Sequence, residues 1–190
     1  MMVVSIGATG VVYAQSLQKG LEAYNSGDYA AAFKQWKVLA KQGNTLAQFS
    51  VGYMYYEGKG ATRDYKDAVK WYRKAAEQGH ADAQFNLGQM YRRGQGVTPG
   101  HKDAAKWYRK AAEQGDAKGQ HSLGLMYDGG LGVAEDTVAA HMWFNIAAAN
   151  GYEDAEYSRD EIASKLSAEG LRKAQQMAKR CKKSAYKDCD

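Results

Sequence analysis

Cysteine, proline, charge excess and long apolar runs are all scarce in this 190-residue chain. Cys181 and Cys189 are the only cysteines, and no second Cys or His pair at ligand spacing stands near them, which argues against a zinc site. A single proline, with 45% hydrophobic and 12% aromatic residues, leaves no length that reads as disordered. The longest uncharged apolar stretch, MMVVSIGATGVVYA at 1–14, is too short to span a bilayer. Residues 1–164 hold 18 basic and 18 acidic side chains, so the net charge of +5 comes entirely from 165–190, with 8 against 3. No groove-entering module or single-strand aromatic platform accompanies that basic tail, so nucleic acid is not an expected partner. The tail reads instead as the cationic end of a soluble capping helix, with Lys173, Lys179, Arg180, Lys182 and Lys183 favourably placed for the helix dipole.

What the chain does have is a period. Residues 45–80 and 81–116 are near copies of 36 residues, and 117–152 is a worn third. Each opens near Ala-x-Gln-Phe or its equivalent, carries Gly-x-Met-Tyr (Gly52 to Tyr55, Gly88 to Tyr91, Gly124 to Tyr127), and continues into Gly-x-Gly. The first two close on Lys-Trp-Tyr-Arg-Lys-Ala-Ala-Glu-Gln-Gly, and the third keeps Trp143, Phe144, Ala147, Ala148 and Gly151 in phase. A fixed period of this length is the mark of a repeat architecture.

Within a repeat, Ala47, Val51, Met54 and Tyr55 recur at helical spacing, and so do Ala68, Trp71, Tyr72, Ala75 and Ala76. This predicts two helices, joined at a glycine pair and closed by Gly79, Gly115 or Gly151. Gly52, Gly88 and Gly124 fall inside the first helix, at a cost of about 1 kcal/mol against alanine. Their recurrence predicts another helix backbone passing too close for a Cβ. Residues 15–44 fit the second half of the repeat with a shorter loop, as an atypical end pair, and 153–190 begin a fourth copy before turning into a capping helix and basic tail. The expected fold class is all-α, a solenoid of stacked antiparallel helix pairs.

The 1–14 stretch ends on Val12-x-Ala14, a small-residue pattern like a signal-peptidase site, although no Lys or Arg precedes Lys19. It is expected to be an export signal; the alternative is the apolar N-terminus of a cytoplasmic protein. An even cysteine count in an exported chain favours a Cys181–Cys189 disulfide over two inert thiols. Were the segment between them all helix, their Cα atoms would lie about 12 Å apart, beyond the ~7 Å a disulfide tolerates. A bond therefore requires the helix to end and the chain to fold back.

Ala-x-x-x-Leu-Gly-x-x-Tyr (Val51 for Leu in the first copy, Gly119 for Ala in the third), Gly-x-Gly and Trp-Tyr-Arg-Lys-Ala-Ala-Glu-Gln-Gly strongly resemble the Sel1-like repeat, a relative of the tetratricopeptide repeat. The resemblance covers Gln15 to about Leu166. It implies a right-handed superhelix with a concave side, and an adaptor that holds other proteins together, often in the bacterial envelope or at host surfaces. Cysteine-rich members carry a disulfide in every repeat; none of the repeats here contains Cys, so the special activities of that branch are not expected.

Signals for chemistry are weak. Ser16-x-x-Lys19 and Ser184-x-x-Lys187 match the Ser-x-x-Lys pattern of penicillin-recognising enzymes, but about one such match is expected by chance and neither Ser-Asp-Asn nor Lys-Thr-Gly accompanies them. His80, His101, His121 and His141 lie at four different phases of the repeat, without a ligand four residues on. Gly58-Lys59-Gly60 and its equivalents lack the preceding strand and lysine-serine ending of a phosphate loop. No catalytic residue, cofactor or metal is therefore expected, and a cell-wall or β-lactam hydrolase is the alternative. Recognition is expected on the first helices, at Phe49, Tyr53 and Tyr56 in the first copy, Phe85, Asn86, Gln89, Arg92 and Arg93 in the second, and His121 and Leu125 in the third. The expected partner is a protein or peptide. The competing role for Phe49 and Phe85 is to seal the joint between neighbouring repeats.

Overall fold

The computed structural model describes residues 8–189, with side chains from Gln15 onward. The expected export signal at 1–14 lies outside the described residues up to residue 7, and its remainder is described as helical backbone only. Ten α-helices and no strand are formed by the described residues: α1 Ala8–Asn25, α2 Tyr29–Lys41, α3 Thr45–Glu57, α4 Tyr65–Glu77, α5 Ala81–Arg93, α6 His101–Ala112, α7 Ala117–Asp128, α8 Thr137–Ala149, α9 Asp154–Ala163 and α10 Ala168–Lys183. Most starts are set by a short polar side chain. Asp28, Asn44, Asp64, Asp116, Asp136 and Ser167 each accept a hydrogen bond from the backbone N–H three residues on. Such a cap satisfies a donor that the helix leaves orphaned, and losing it costs about 1 kcal/mol.

The loop inside each repeat is closed the same way three times. Lys59, Gln95 and Leu131 donate their N–H to the carbonyls of Met54, Met90 and Met126. Asp64, Gly100 and Asp136 donate to those of Tyr55, Tyr91 and Tyr127. Gly132 shows why glycine is needed there: its φ is +73°, and a Cβ would drive into the backbone of His101.

The chain divides into two compact units, 1–80 and 81–190. In the first, α1 packs on α2, α2 on α3 and α3 on α4. Ala32, Trp36, Leu39, Ala40, Ala47, Val51, Met54 and Trp71 form its core. In the second, α5 to α9 pack consecutively, and α10 packs on α8. Ala104, Trp107, Tyr108, Ala111 and Ala112 of α6 are buried, the same phases as Ala68, Trp71, Tyr72, Ala75 and Ala76 of α4. A fully buried Met or Leu is worth about 1.5–3 kcal/mol, and Met54, Leu87, Met90, Leu123 and Met126 all reach that state on the first helices.

The expected reason for the mid-helix glycines is corrected. A Cβ on Gly52, Gly88 or Gly124 would first meet an aromatic ring, 2.8 Å from Tyr72, 2.7 Å from Tyr108 and 2.6 Å from Phe144 respectively. The missing side chain makes room for the ring of the second helix, which lets each hairpin close. At the C-terminus, α9 repeats the start of a first helix, with Ala155 and Ile162 buried, while α10 takes a different course and ends at Lys183. The chain then folds back, and Cys181 and Cys189 are bonded, with Cα atoms 4.4 Å apart.

Candidate functional site

The aromatic residues expected for recognition are largely occupied by their own repeats. In the first unit, Phe49 lies 5.7 Å from the ring of Tyr72 and stacks on His80 at 4.5 Å, so it closes its own hairpin. Tyr56 packs on Tyr65 at 5.4 Å. Tyr53 is half-buried beside Lys59, whose Nζ donates to the Tyr24 hydroxyl at 3.0 Å and also faces the rings of Tyr24 and Tyr29. Burial pushes the Tyr53 hydroxyl above its ordinary range, helped by the neighbouring Tyr24 hydroxyl.

In the second unit Phe85 meets Tyr108 at 5.9 Å, the same pairing one period on. His121 occupies that phase on α7 and lies 5.2 Å from Phe144 and 5.0 Å from Tyr152. Phe49, Phe85 and His121 thus each pack on a ring of the same repeat. Asn86 and Gln89 are half-buried, and the Gln89 carbonyl oxygen accepts from Arg92 Nε and Nη2 at 3.3 and 3.1 Å. Arg92 also faces Tyr108, opposing the rise in that phenol's pKa that burial causes. Arg92 and Arg93 are exposed, and Leu125 on α7 is 44% exposed. Of the expected recognition residues in this unit, these three are the exposed ones.

One exposed aromatic escaped the sequence reading. Tyr157 on α9 is 75% exposed and stands at the fifth position of the worn fourth copy, the phase of Phe49, Phe85 and His121. The register alone would have found it. No ring at the Tyr72 phase follows α9 in sequence, since α10 departs from the pattern.

A second set of residues also went unassigned. Gln48, Gln84 and Gln120 are buried at the fourth position of each repeat. Their side-chain oxygens accept from Gln78, Gln114 and Asn150 at 2.6, 2.6 and 2.8 Å, thirty residues ahead. Gln48 and Gln120 also donate to the carbonyls of Ala40 and Ala112, in the helix before their own hairpin, at 3.2 and 3.1 Å. Gln48 and Gln120 thereby bridge consecutive helix pairs, the role that stood as the alternative to recognition for Phe49 and Phe85.

His121 and Ser158 come within 2.9 Å. The Ser158 hydroxyl donates to the Asp154 carbonyl at 3.1 Å, so the imidazole meets its oxygen as a donor, the reverse of a base activating a nucleophile. Of the two Ser-x-x-Lys serines, Ser184 is held in the C-terminal turn, donating to the Cys181 carbonyl and accepting from the Asp188 N–H at 2.8 and 2.9 Å. Among the described residues no cluster of three or more His, Cys, Asp or Glu is placed to hold a metal, and no helix is long and apolar enough to cross a membrane.

Burial lowers the pKa of both His121 and His141. Asp154 partly opposes this at His121; at His141 Arg159 adds to it and Asp160 opposes it. His141 is 3% exposed and its Nδ1 has no partner. A histidine whose pKa falls on folding contributes stability that is present above its unfolded value near 6.5 and is lost as pH drops through the folded value. The unfolding free energy read from urea titrations should therefore fall from pH 7.5 to 5, at up to about 1.4 kcal/mol per pH unit for His141. A His141→Gln variant should show a flatter profile; an unchanged profile would remove His141 as the cause.

Against known proteins, the Sel1 repeat family model matches residues 45–80, 81–116 and 117–152. A Sel1 repeat protein from Oxalobacter formigenes is 38% identical over 74% of this chain and 56% of its own, with a TM-score of 0.69. The protein c5321, a protective antigen of uropathogenic Escherichia coli strains displaying an SLR fold, is 27% identical over 93% of this chain and 49% of its own, with a TM-score of 0.63. Cysteine-rich protein B of Helicobacter pylori, at 21% identity and a TM-score of 0.50, shares the fold. The chain thus spans about half the length of the first two structures. No curated protein matches it.

Proposed function

The chain belongs to the Sel1 repeat family, whose fold generally serves as a protein–protein interaction scaffold, and from that premise we propose a non-catalytic adaptor. It acts in the bacterial envelope or after secretion and binds a peptide or protein segment on the exposed face of its first helices. The observation that carries this reading is the set of side chains on α5 and α7 that stay exposed after the hairpins have packed: Arg92, Arg93 and the 44% exposed Leu125. Arginine is among the residue types that concentrate binding energy in interfaces, and Leu125 adds an exposed apolar side chain on α7. The Cys181–Cys189 bond supports an oxidising compartment, where such bonds persist.

Phe85 is a poor probe of this face, because its loss would disturb the Tyr108 contact and report on folding. Arg93→Glu with Leu125→Asp is the better pair, since both residues are exposed and their replacement should leave the stability within about 0.5 kcal/mol of the parent. Crosslinking in an envelope extract should yield a partner with the parent that is lost, by about tenfold or more, with the pair. Equal recovery from both would retire the face as a binding surface.

A further inference from the structure

The excess charge of the molecule is gathered on one helix. α10 carries Arg172, Lys173, Lys179, Arg180, Lys182 and Lys183 against a single acid, Glu169, and all six cations are exposed. Ala174, Ala178 and Cys181 occupy its buried side, and α10 packs on α8 through 81–190. At 100° per residue, Arg172, Gln176, Lys179 and Lys183 fall along one outward ridge, about 16 Å long at 1.5 Å per residue. Lys173 and Arg180 lie on one flank of that ridge and Lys182 on the other. A shallow depression lined by Ser167, Glu169, Gly170, Arg172, Lys173 and Gln176 opens at its N-terminal end. Asp188 pairs with Arg180 at 3.3 Å, while the ridge cations have no acid at the intervening turns other than Glu169.

Dipole compensation accounts for cations in the last turn only, because that effect fades within one turn. Arg172 and Lys173 lie in the second turn of α10, beyond the reach of either end, so the dipole does not account for them. Their presence there points to an external anion. The geometry points to a docking surface for the anionic headgroups of a phospholipid bilayer, met by the outer face of α10 lying along the membrane plane. The apolar side of the helix is already covered, so the attachment is electrostatic and peripheral, with the long side chains reaching down to the phosphates. A straight ridge of cations with flanking rows meets a plane of charge along its whole length. It offers no aromatic for stacking on bases, since α10 contains none. The choice of a bilayer over nucleic acid also rests on the proposed export; the cationic surface itself does not.

Flotation with vesicles of phosphatidylcholine and phosphatidylglycerol, in a roughly two-to-one ratio at physiological salt, tests it. The full chain is compared with a ridge variant, Arg172→Gln, Lys179→Gln and Lys183→Gln, and with a control, Lys66→Gln, Lys106→Gln and Lys118→Gln, which removes the same charge from exposed positions of the repeats. The expected result is binding that is absent from pure phosphatidylcholine, falls about tenfold or more in the ridge variant and survives in the control, with circular dichroism unchanged in both. Equal losses in the two variants, no binding by the parent, or tighter retention on duplex DNA than on vesicles would overturn it. Partner crosslinking through Arg93 and Leu125 is a separate readout, so failure of one surface is distinguishable from failure of the other.

Discussion

Replacing Gln120 with leucine is expected to cost about 1–3 kcal/mol, a drop of roughly 2–12 °C in melting temperature for a chain of this size. Leucine has nearly the right volume, so the loss is not one of packing. Gln120 is fully buried, its Nε2 donates to the Ala112 carbonyl of α6, and its Oε1 accepts from Asn150 Nδ2 just past α8. Taking away one partner leaves the other polar groups desolvated, at about 1–3 kcal/mol each. The Ala112 carbonyl keeps the N–H of Gly115, and the half-buried Asn150 amide keeps the Tyr186 hydroxyl, so each loses one bond of two rather than its last. Gln48 does the same work in the first unit, between Ala40 and Gln78, and Gln48→Leu should behave alike. Chemical denaturation of both variants checks this; a loss below about 0.5 kcal/mol would mean that the amide is not what holds consecutive helix pairs in register.

These glutamines mark the limit of what periodicity reveals. Ala68, Trp71, Tyr72, Ala75 and Ala76 were legible as a buried face because apolar residues at helical spacing have one place to go. A glutamine at a fixed phase reads equally as solvated surface, and its burial is decided by an amide thirty residues later that no local window contains. Gly52, Gly88 and Gly124 were legible as points of close approach, but what approaches is a ring from the same hairpin, because Tyr72, Tyr108 and Phe144 each project toward the first helix. The same rings meet Phe49, Phe85 and His121, side chains that a helical wheel places on an open face. A wheel gives the direction of a side chain and not the reach of its neighbour across the hairpin. Tyr157 shows the converse: at the same phase, but with no ring of that kind following, it stays exposed.

Opening the Cys181–Cys189 bond should loosen the C-terminal cap, and the reason lies in the turn it closes. Past α10 the chain passes through Ala185 at φ 52° and Tyr186 at φ 65°, left-handed conformations that cost a non-glycine residue about 1–2 kcal/mol each. The Tyr186 N–H caps α10 at the Cys181 carbonyl, and its hydroxyl exchanges hydrogen bonds with the Asn150 side chain at 3.0 and 3.2 Å. Asn150 in turn holds Gln120, so the turn and the last complete repeat share one network. Closing a ring of this size is worth about 2–3 kcal/mol in the chain-entropy estimate, comparable to the cost of the unfavourable backbone. Cys181→Ala with Cys189→Ala should therefore lower stability by about 2–3 kcal/mol, and a reductant should do the same to the parent and nothing further to the variant. Hydrogen exchange should quicken first from Arg180 to Asp188 and then along α10, while α1 to α4 keep their protection. A parent whose melting curve and exchange pattern ignore reduction would show that the Tyr186–Asn150 contact holds the turn without the covalent link. Reductant sensitivity confined to the second unit would instead make the bond the element that keeps the cationic end of the chain in place.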